Sequence, residues 1–139
     1  MKRLFIILCS FGAFMCLNSC DLDDNGPNFH FTSLQIVSAD LPESFELNET
    51  YEIQVRYVIP DGCTIFEGFD VSRQDTTVRN VVAVGARRTD AEACTQAIEE
   101  LEATFNFVVL YNETYVFRFW QGSSVDGEDE FFEVEVPVN

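Results

Sequence analysis

The 139-residue sequence contains very few cationic side chains. Its one lysine is Lys2 and its other seven cations are arginines, whereas aspartate and glutamate number 24, so the formal net charge is −16. A protein of this charge repels the phosphate backbone, and the sequence therefore predicts no nucleic-acid partner. Anionic lipid headgroups are repelled for the same reason, so any membrane attachment must rest on something other than electrostatic attraction.

Catalytic motifs are missing as well. The sequence has one histidine, His30, and contains no G-x-S-x-G, H-E-x-x-H, phosphate-cradling glycine loop or dinucleotide fingerprint. His30 lies between Phe29 and Phe31 in an alternating segment, which predicts that it points to solvent. Acidic pairs are frequent, but glycoside hydrolysis needs two carboxyl groups at a defined separation in a cleft. We therefore expect a protein that is not an enzyme and carries no cofactor.

The longest apolar run, residues 4–17, is too short to cross a membrane. It spans about 14 residues, whereas a bilayer-spanning helix needs about 20. Lys2 and Arg3 precede it and the small residue Ser19 follows it, which is the pattern of a secretory signal peptide. The sequence predicts such a peptide over residues 1–19.

The four residues at the end of this segment, Leu17-Asn18-Ser19-Cys20, resemble the bacterial lipobox. The resemblance implies that Cys20 carries a lipid anchor; an ordinary signal peptide with an incidental cysteine is the alternative. Residues 20–28 are acidic and contain a Gly-Pro break, so they predict a flexible tether. The acidic run through Asp24 resembles the surface-export signal of Bacteroidota lipoproteins, whereas Asp21 alone resembles an inner-membrane retention signal of other Gram-negative bacteria. We expect an outer-membrane, cell-surface lipoprotein, with the periplasmic face as the alternative.

The five cysteines divide into three groups. Cys9 and Cys16 lie in the predicted signal peptide, and Cys20 is the predicted lipid acceptor. Cys63 and Cys94 remain, and an even pair in an exported chain predicts a disulfide, with two unpaired buried thiols as the alternative. Such a bond closes a loop of about 30 residues, which is worth roughly 3–4 kcal/mol. Two cysteines and one distant histidine lack the spacing of a structural zinc site, so we expect no metal.

From Phe29 onward, apolar residues recur at every second position between turn signals, which is typical of half-buried strands. Seven strands are predicted, at residues 29–36, 51–59, 63–71, 77–87, 101–109, 115–119 and 132–136. The phase of the first strand slips near Ser33, which indicates a bulge or a bend. Strands and helices do not alternate, so a Rossmann-type fold is excluded. The sequence predicts one all-β domain over residues 29–139, a seven-stranded immunoglobulin-like or fibronectin-III-like sandwich.

One segment, residues 89–99, leaves two alternatives open. Thr89 and Glu92 have the spacing of a capping box, and an apolar stripe at helical spacing follows at Cys94, Ala97, Ile98 and Leu101. This pattern predicts a short helix. The alternative is an ordered loop pinned by Cys94.

The four residues Asn48-Glu49-Thr50-Tyr51 recur as Asn112-Glu113-Thr114-Tyr115, each time at the start of an aromatic strand. In the predicted order these are the second and sixth strands, which face one another across an immunoglobulin-like core. Tyr115 lies near the start of the sixth strand, which is the place of the tyrosine corner in such folds.

Trp120 and Phe131 are out of phase with the inward positions of their strands, as are Val116 and Arg118. Exposed aromatic residues beside an arginine are typical of binding hot spots. The four residues are therefore a candidate binding patch for a protein or a glycan, unless the chain before Phe29 or the 89–100 segment covers them. A structural subunit of an outer-membrane assembly is the second hypothesis.

The aromatic run Tyr115-Val116-Phe117-Arg118-Phe119-Trp120-Gln121-Gly122 and the ending Glu133-Val134-Glu135-Val136-Pro137 also resemble small lipoproteins of Bacteroidota, of flavobacterial type. That resemblance implies no particular activity.

Overall fold

The computed structural model describes residues 28–139. The predicted signal peptide, the lipid acceptor Cys20 and all but the last residue of the predicted tether lie outside the described residues. Within residues 28–139 no helix is long and apolar enough to cross a bilayer. The described chain forms eight strands: β1 (Phe29–Leu34), β2 (Ile36–Asp40), β3 (Thr50–Ile59), β4 (Thr64–Arg73), β5 (Val78–Arg88), β6 (Glu99–Val108), β7 (Tyr115–Ser123) and β8 (Asp129–Val136).

The strands form two sheets that pack face to face. Strands β2, β3 and β6 form an antiparallel three-stranded sheet. In the five-stranded sheet, β4 pairs with one edge of β5 and both β1 and β7 pair with the other edge. The β5–β7 pairing is parallel and β8 pairs with β7 in antiparallel fashion. The predicted all-β sandwich is confirmed, and the parallel pair distinguishes it from the two antiparallel sheets of an immunoglobulin constant-type domain.

The predicted first strand is in fact two strands, which gives eight strands instead of seven. β1 belongs to the five-stranded sheet and β2 to the three-stranded sheet, with Gln35 between them. Leu34 and Ile36 on either side of this crossing are both fully buried, so the side-chain alternation continues through Ser33. The predicted bulge near Ser33 was wrong, because Phe29 and Phe31 point away from the core rather than into it. The alternative, a bend, corresponds to the crossing between the sheets at Gln35. The register shift lies between Ile36 and Ser38 instead.

The predicted helix at residues 89–99 was also wrong. Residues 89–98 form an irregular connection, and β6 begins at Glu99. Thr89 donates its backbone N–H to the carbonyl of Asn28 rather than starting a helix, and Ile98 remains 72% exposed. The predicted disulfide is present between Cys63 and Cys94, with a Cα–Cα distance of 5.3 Å. The alternative, an ordered loop pinned by Cys94, is therefore the observed conformation.

The repeated tetrapeptide produces the same local contact twice. The Tyr51 hydroxyl accepts a hydrogen bond from the backbone N–H of Glu46 at 2.8 Å, five residues earlier. The Tyr115 hydroxyl accepts from the backbone N–H groups of Leu110 and Tyr111, at 3.1 and 3.0 Å. Tyr115 is fully buried. The predicted tyrosine corner is therefore confirmed.

Phe45 joins the two tyrosines in the core although it lies outside all eight strands. Its ring centroid lies 4.7 Å from that of Tyr51 and 6.0 Å from that of Tyr115, and its side chain has no exposed surface. Its backbone is fixed on both sides, because Phe45 donates to the Pro137 carbonyl and accepts from the N–H of Asn139. The connection at residues 41–49 is therefore anchored to the end of the chain.

Candidate functional site

The predicted binding patch lies on the outer face of the five-stranded sheet, on β7 and β8. Trp120 is directly opposite Phe131 in the antiparallel register, and Arg118 is opposite Glu133. All four predicted residues, Val116 included, are half-buried. The structure therefore brings the predicted residues together on one surface, with side chains that remain accessible.

Arg118 is held in place by three neighbours. Its Nε donates to Glu133 at 3.0 Å, and its Nη1 donates to the side-chain oxygen of Asn80 at 3.4 Å. The guanidinium carbon lies 4.7 Å from the centroid of the Phe131 ring, within cation–π distance. The positive charge of Arg118 is thus already paired, and the arginine and the phenylalanine present a preorganised surface.

The indole ring of Trp120 is fixed by its polar edge. Its Nε1–H donates to Oδ1 of Asp129 at 2.9 Å, and the same oxygen accepts from Ser123 at 3.3 Å. Trp120 also lines a shallow hollow of about 200 Å³ together with Ser33 and Leu34 of β1, Gln35, Val58 and Pro60. The tryptophan therefore connects the patch to β1.

A second group of apolar residues, absent from the predicted patch, continues the same face. Phe31 is 75% exposed and is opposite Ala86 of β5 in the register. The Phe31 side chain separates two further hollows: one of about 210 Å³ lined by Phe29, Phe31, Glu67 and Ala86, and one of about 300 Å³ lined by Phe31, Thr32, Ser33, Asp70, Val82 and Val84. Ser33 lines both the second of these hollows and the one beside Trp120, so the two regions are contiguous.

We refer to the region formed by Phe31, Val82, Val84, Trp120 and Phe131 as the outer face. The sequence contained a signal for its unpredicted half. Continuing the alternation of Leu34 and Ile36 backward without a slip puts Phe29 and Phe31 on the side opposite the core. Two aromatic residues on that side of an N-terminal strand are the mark of an exposed apolar surface.

The solvent-facing side of the three-stranded sheet carries polar pairs. Arg56 there is bound to Glu102, with its Nε 3.0 Å from the carboxylate, and Gln54 donates to the same group at 2.9 Å. These bonds to Glu102 raise the pKa of Arg56. Such polar pairs are typical of a solvated sheet surface. Within residues 28–139, both exposed aromatic residues, Phe29 and Phe31, belong to the five-stranded sheet.

A cleft of about 340 Å³ lies at the disulfide, at the end of the sandwich. It is bordered by Ile59 and Phe66 on one side and by Thr95 and Ala97 of the 89–98 connection on the other. The backbone N–H of Gly62 donates to the Thr95 carbonyl at 3.1 Å. The 89–98 connection therefore forms a wall of this cleft.

Asp61 organises the polar side of the cleft. Its carboxylate accepts from the Thr64 hydroxyl at 2.8 Å and from the Cys63 N–H at 3.0 Å, and it pairs with Arg87 at 3.1 Å. The hydrogen bond from Thr64, together with the other two contacts, lowers the pKa of Asp61. Asp61, Cys63 and Cys94 are also the one cluster of metal-ligand atom types found within residues 28–139. Both sulfur atoms are joined in the disulfide, however, so a single carboxylate remains.

Comparison with known proteins identifies one family. A family model described as "ORF11 beta-sandwich domain" matches residues 53–136, which include strands β4 to β8 and most of β3. Neither a curated protein nor a solved structure gives a significant match to the chain.

Proposed function

The chain belongs to the ORF11 beta-sandwich domain family, and on this scaffold we propose a non-enzymatic binding module for a protein or a glycan, held at the bacterial cell envelope by a lipid on Cys20. The outer face is the binding surface. The observation that carries the proposal is an aromatic surface on the five-stranded sheet of a strongly acidic domain, where Phe31 is 75% exposed and Trp120 and Phe131 are half-buried.

Contiguous apolar surface on a soluble domain commonly marks an interaction site. Phe31 exposes 75% of its surface, and Trp120 and Phe131 are cross-strand neighbours. Tryptophan and arginine are the residue types that dominate binding hot spots. Arg118 and Trp120 are both fixed by hydrogen bonds, so binding would cost little side-chain entropy.

A pull-down from crosslinked cells tests the binding surface. We expect the double variant Trp120→Ala/Phe131→Ala to lose most of the partner recovered by the unchanged chain. The matched control is Val37→Ala/Val108→Ala, since these side chains are 40% and 47% exposed but lie on the three-stranded sheet. Equal recovery with both double variants would exclude the outer face as the site.

The anchor and its location are tested separately. Cys20→Ser should move the protein from the membrane fraction to the soluble fraction. Treatment of intact cells with a protease should then remove the domain of the unchanged chain, while a periplasmic protein remains intact as a leakage control. Survival of the domain until the outer membrane is broken would assign it to the periplasmic face.

The alternative proposal is a structural subunit of an outer-membrane assembly. Support comes from a second exposed apolar region formed by Leu47 and Leu110, which are 40% and 62% exposed. The Asn48 N–H donates to the Val109 carbonyl and the Val109 N–H donates to the Glu49 carbonyl, which places the two leucines at the same end of the sandwich. Permanent assemblies bury larger and more hydrophobic surfaces than transient complexes do. Migration as a free monomer on a native gel after mild detergent extraction would contradict this alternative.

A further inference from the structure

Phe31 is the most exposed aromatic side chain of the outer face and forms a ridge between two hollows that are lined by similar types of residue. The first hollow contains the Phe29 and Phe31 rings and the carboxylate residue Glu67. The second contains Phe31, Val82 and Val84 together with the carboxylate residue Asp70. Each hollow therefore contains apolar side chains and one acidic side chain.

These two acids differ from Glu133 and Asp90, which pair with arginines near the outer face. Within residues 28–139, neither Glu67 nor Asp70 takes part in an ion pair, and both residues are exposed. The nearby arginines are already engaged, since Arg118 is paired with Glu133 and Arg88 with Asp90. The charge left without a partner around Phe31 is therefore negative.

We infer that the Phe31 ridge binds an extended basic protein segment in which lysine or arginine residues occupy alternate positions. This inference rests on the proposed binding function and specifies its partner. Lysine and arginine lay their methylene stems on apolar surface while the charged end stays in a polar environment. The stems lie in the two hollows, the charged ends meet Glu67 and Asp70, and the Phe31 ring between them attracts both cations.

Two basic side chains of one extended segment can reach both acids. Glu67 and Asp70 are three residues apart on β4, across the irregularity between Phe66 and Gly68. At about 3.3 Å per residue the two side chains are separated by roughly 10 Å or less. Alternate side chains of an extended segment point the same way and lie about 6.6 Å apart. Flexible stems cover the remaining distance.

Charge also selects against a second copy of this chain as the occupant. The sequence carries 24 acidic residues against eight cationic ones, and copies stacked through this ridge would bring Glu67 and Asp70 of one protomer against the same carboxylates of its partner. Like charges placed opposite each other destabilise an interface. A basic segment instead neutralises both acids.

Binding of a fluorescent peptide tests the inference. The probe is a short synthetic peptide of alternating lysine and serine, and its anisotropy is measured with the purified full chain at low and moderate salt. The double variant Glu67→Gln/Asp70→Asn should bind about tenfold more weakly, since two exposed ion pairs are lost. Glu52→Gln/Glu113→Gln removes the same charge from exposed positions elsewhere and should bind as the unchanged chain does.

Further variants and probes separate the ridge from general charge attraction. Phe31→Ser should weaken binding about threefold through loss of the cation–π contacts, and because Phe31 is 75% exposed the fold should be unaffected. Equal weakening by the two charge variants, or equal affinity for a peptide with glutamine in place of lysine, would overturn the inference. Absence of peptide binding would overturn it as well. If the crosslinked pull-down then still loses its partner with Trp120→Ala/Phe131→Ala, the proposed function stands and the ligand is a glycan or a neutral protein.

Discussion

Removal of the Cys63–Cys94 disulfide should destabilise the domain by an amount that follows from its position in the chain. The two cysteines are 31 residues apart, and loss of loop closure over this length corresponds to about 3.5–4 kcal/mol of unfolding free energy. The double variant Cys63→Ser/Cys94→Ser is the appropriate perturbation, because it leaves no single unpaired thiol. For a domain of this size, such a loss lowers Tm by about 15–20 °C.

Urea denaturation followed by far-UV circular dichroism measures this change. The midpoint should fall, and the unchanged chain in reductant should approach the behaviour of the double variant. Hydrogen exchange adds a local test, since the Gly62 N–H, which is bonded to the Thr95 carbonyl, should exchange faster without the disulfide. A loss below about 1 kcal/mol would refute the chain-entropy estimate, and unchanged exchange at Gly62 would show that the 89–98 connection does not depend on Cys94.

Three further predictions concern the core and the cleft. Tyr115→Phe should lower the free energy of unfolding by about 1–3 kcal/mol, since it leaves two backbone N–H groups without their acceptor. Tyr51→Phe removes one exposed hydrogen bond and should lower it less. Equal losses for the two variants in urea denaturation would contradict the buried tyrosine corner. Phe45→Ala should lower the free energy of unfolding by about 3–5 kcal/mol, because it opens a cavity among four aromatic rings. A loss under about 1 kcal/mol would show that the 41–49 connection is not part of the core. The pKa of Asp61 is lowered in the folded domain, so the ionised carboxylate stabilises the fold. This stabilisation is fully present above the unfolded-state pKa of about 3.9 and is lost as the pH falls through the lower folded-state pKa. Asp61→Asn should therefore destabilise the domain at neutral pH and have little effect at acid pH, and a destabilisation that does not change with pH would contradict this assignment.

The strong alternating strands could be predicted because burial on one face determines their side-chain order. Tyr51, Ile53, Val55 and Tyr57 alternate with polar residues along β3, and Tyr115, Phe117 and Phe119 recur at every second position along β7. The structure buries all of these residues except Tyr51, which is half-buried. The disulfide could be predicted as well, since two cysteines remained once the N-terminal three were assigned. These features depend on local pattern and on counting.

The features that were missed depend on contacts between distant segments. Phe45 lies in a connection without alternation, and its burial results from its bonds to the last residues of the chain. The apolar stripe at residues 94–101 has helical spacing, but the covalent tie at Cys94 and the pairing of β6 with β3 extend the backbone. The exposure of Phe31 could not be read with certainty from one strand, because it depends on which sheet β1 joins.

A photo-crosslinking amino acid placed on the outer face in cells tests the binding surface most directly. It is incorporated in place of Phe31, and in place of Val108 in a parallel strain, since both positions are exposed but Val108 lies on the other sheet. We expect a discrete crosslinked product from position 31, absent from position 108 and strongly reduced when Glu67→Gln/Asp70→Asn is added. Equal products from both positions, or a product from position 108 alone, would contradict the assignment of the outer face as the binding surface.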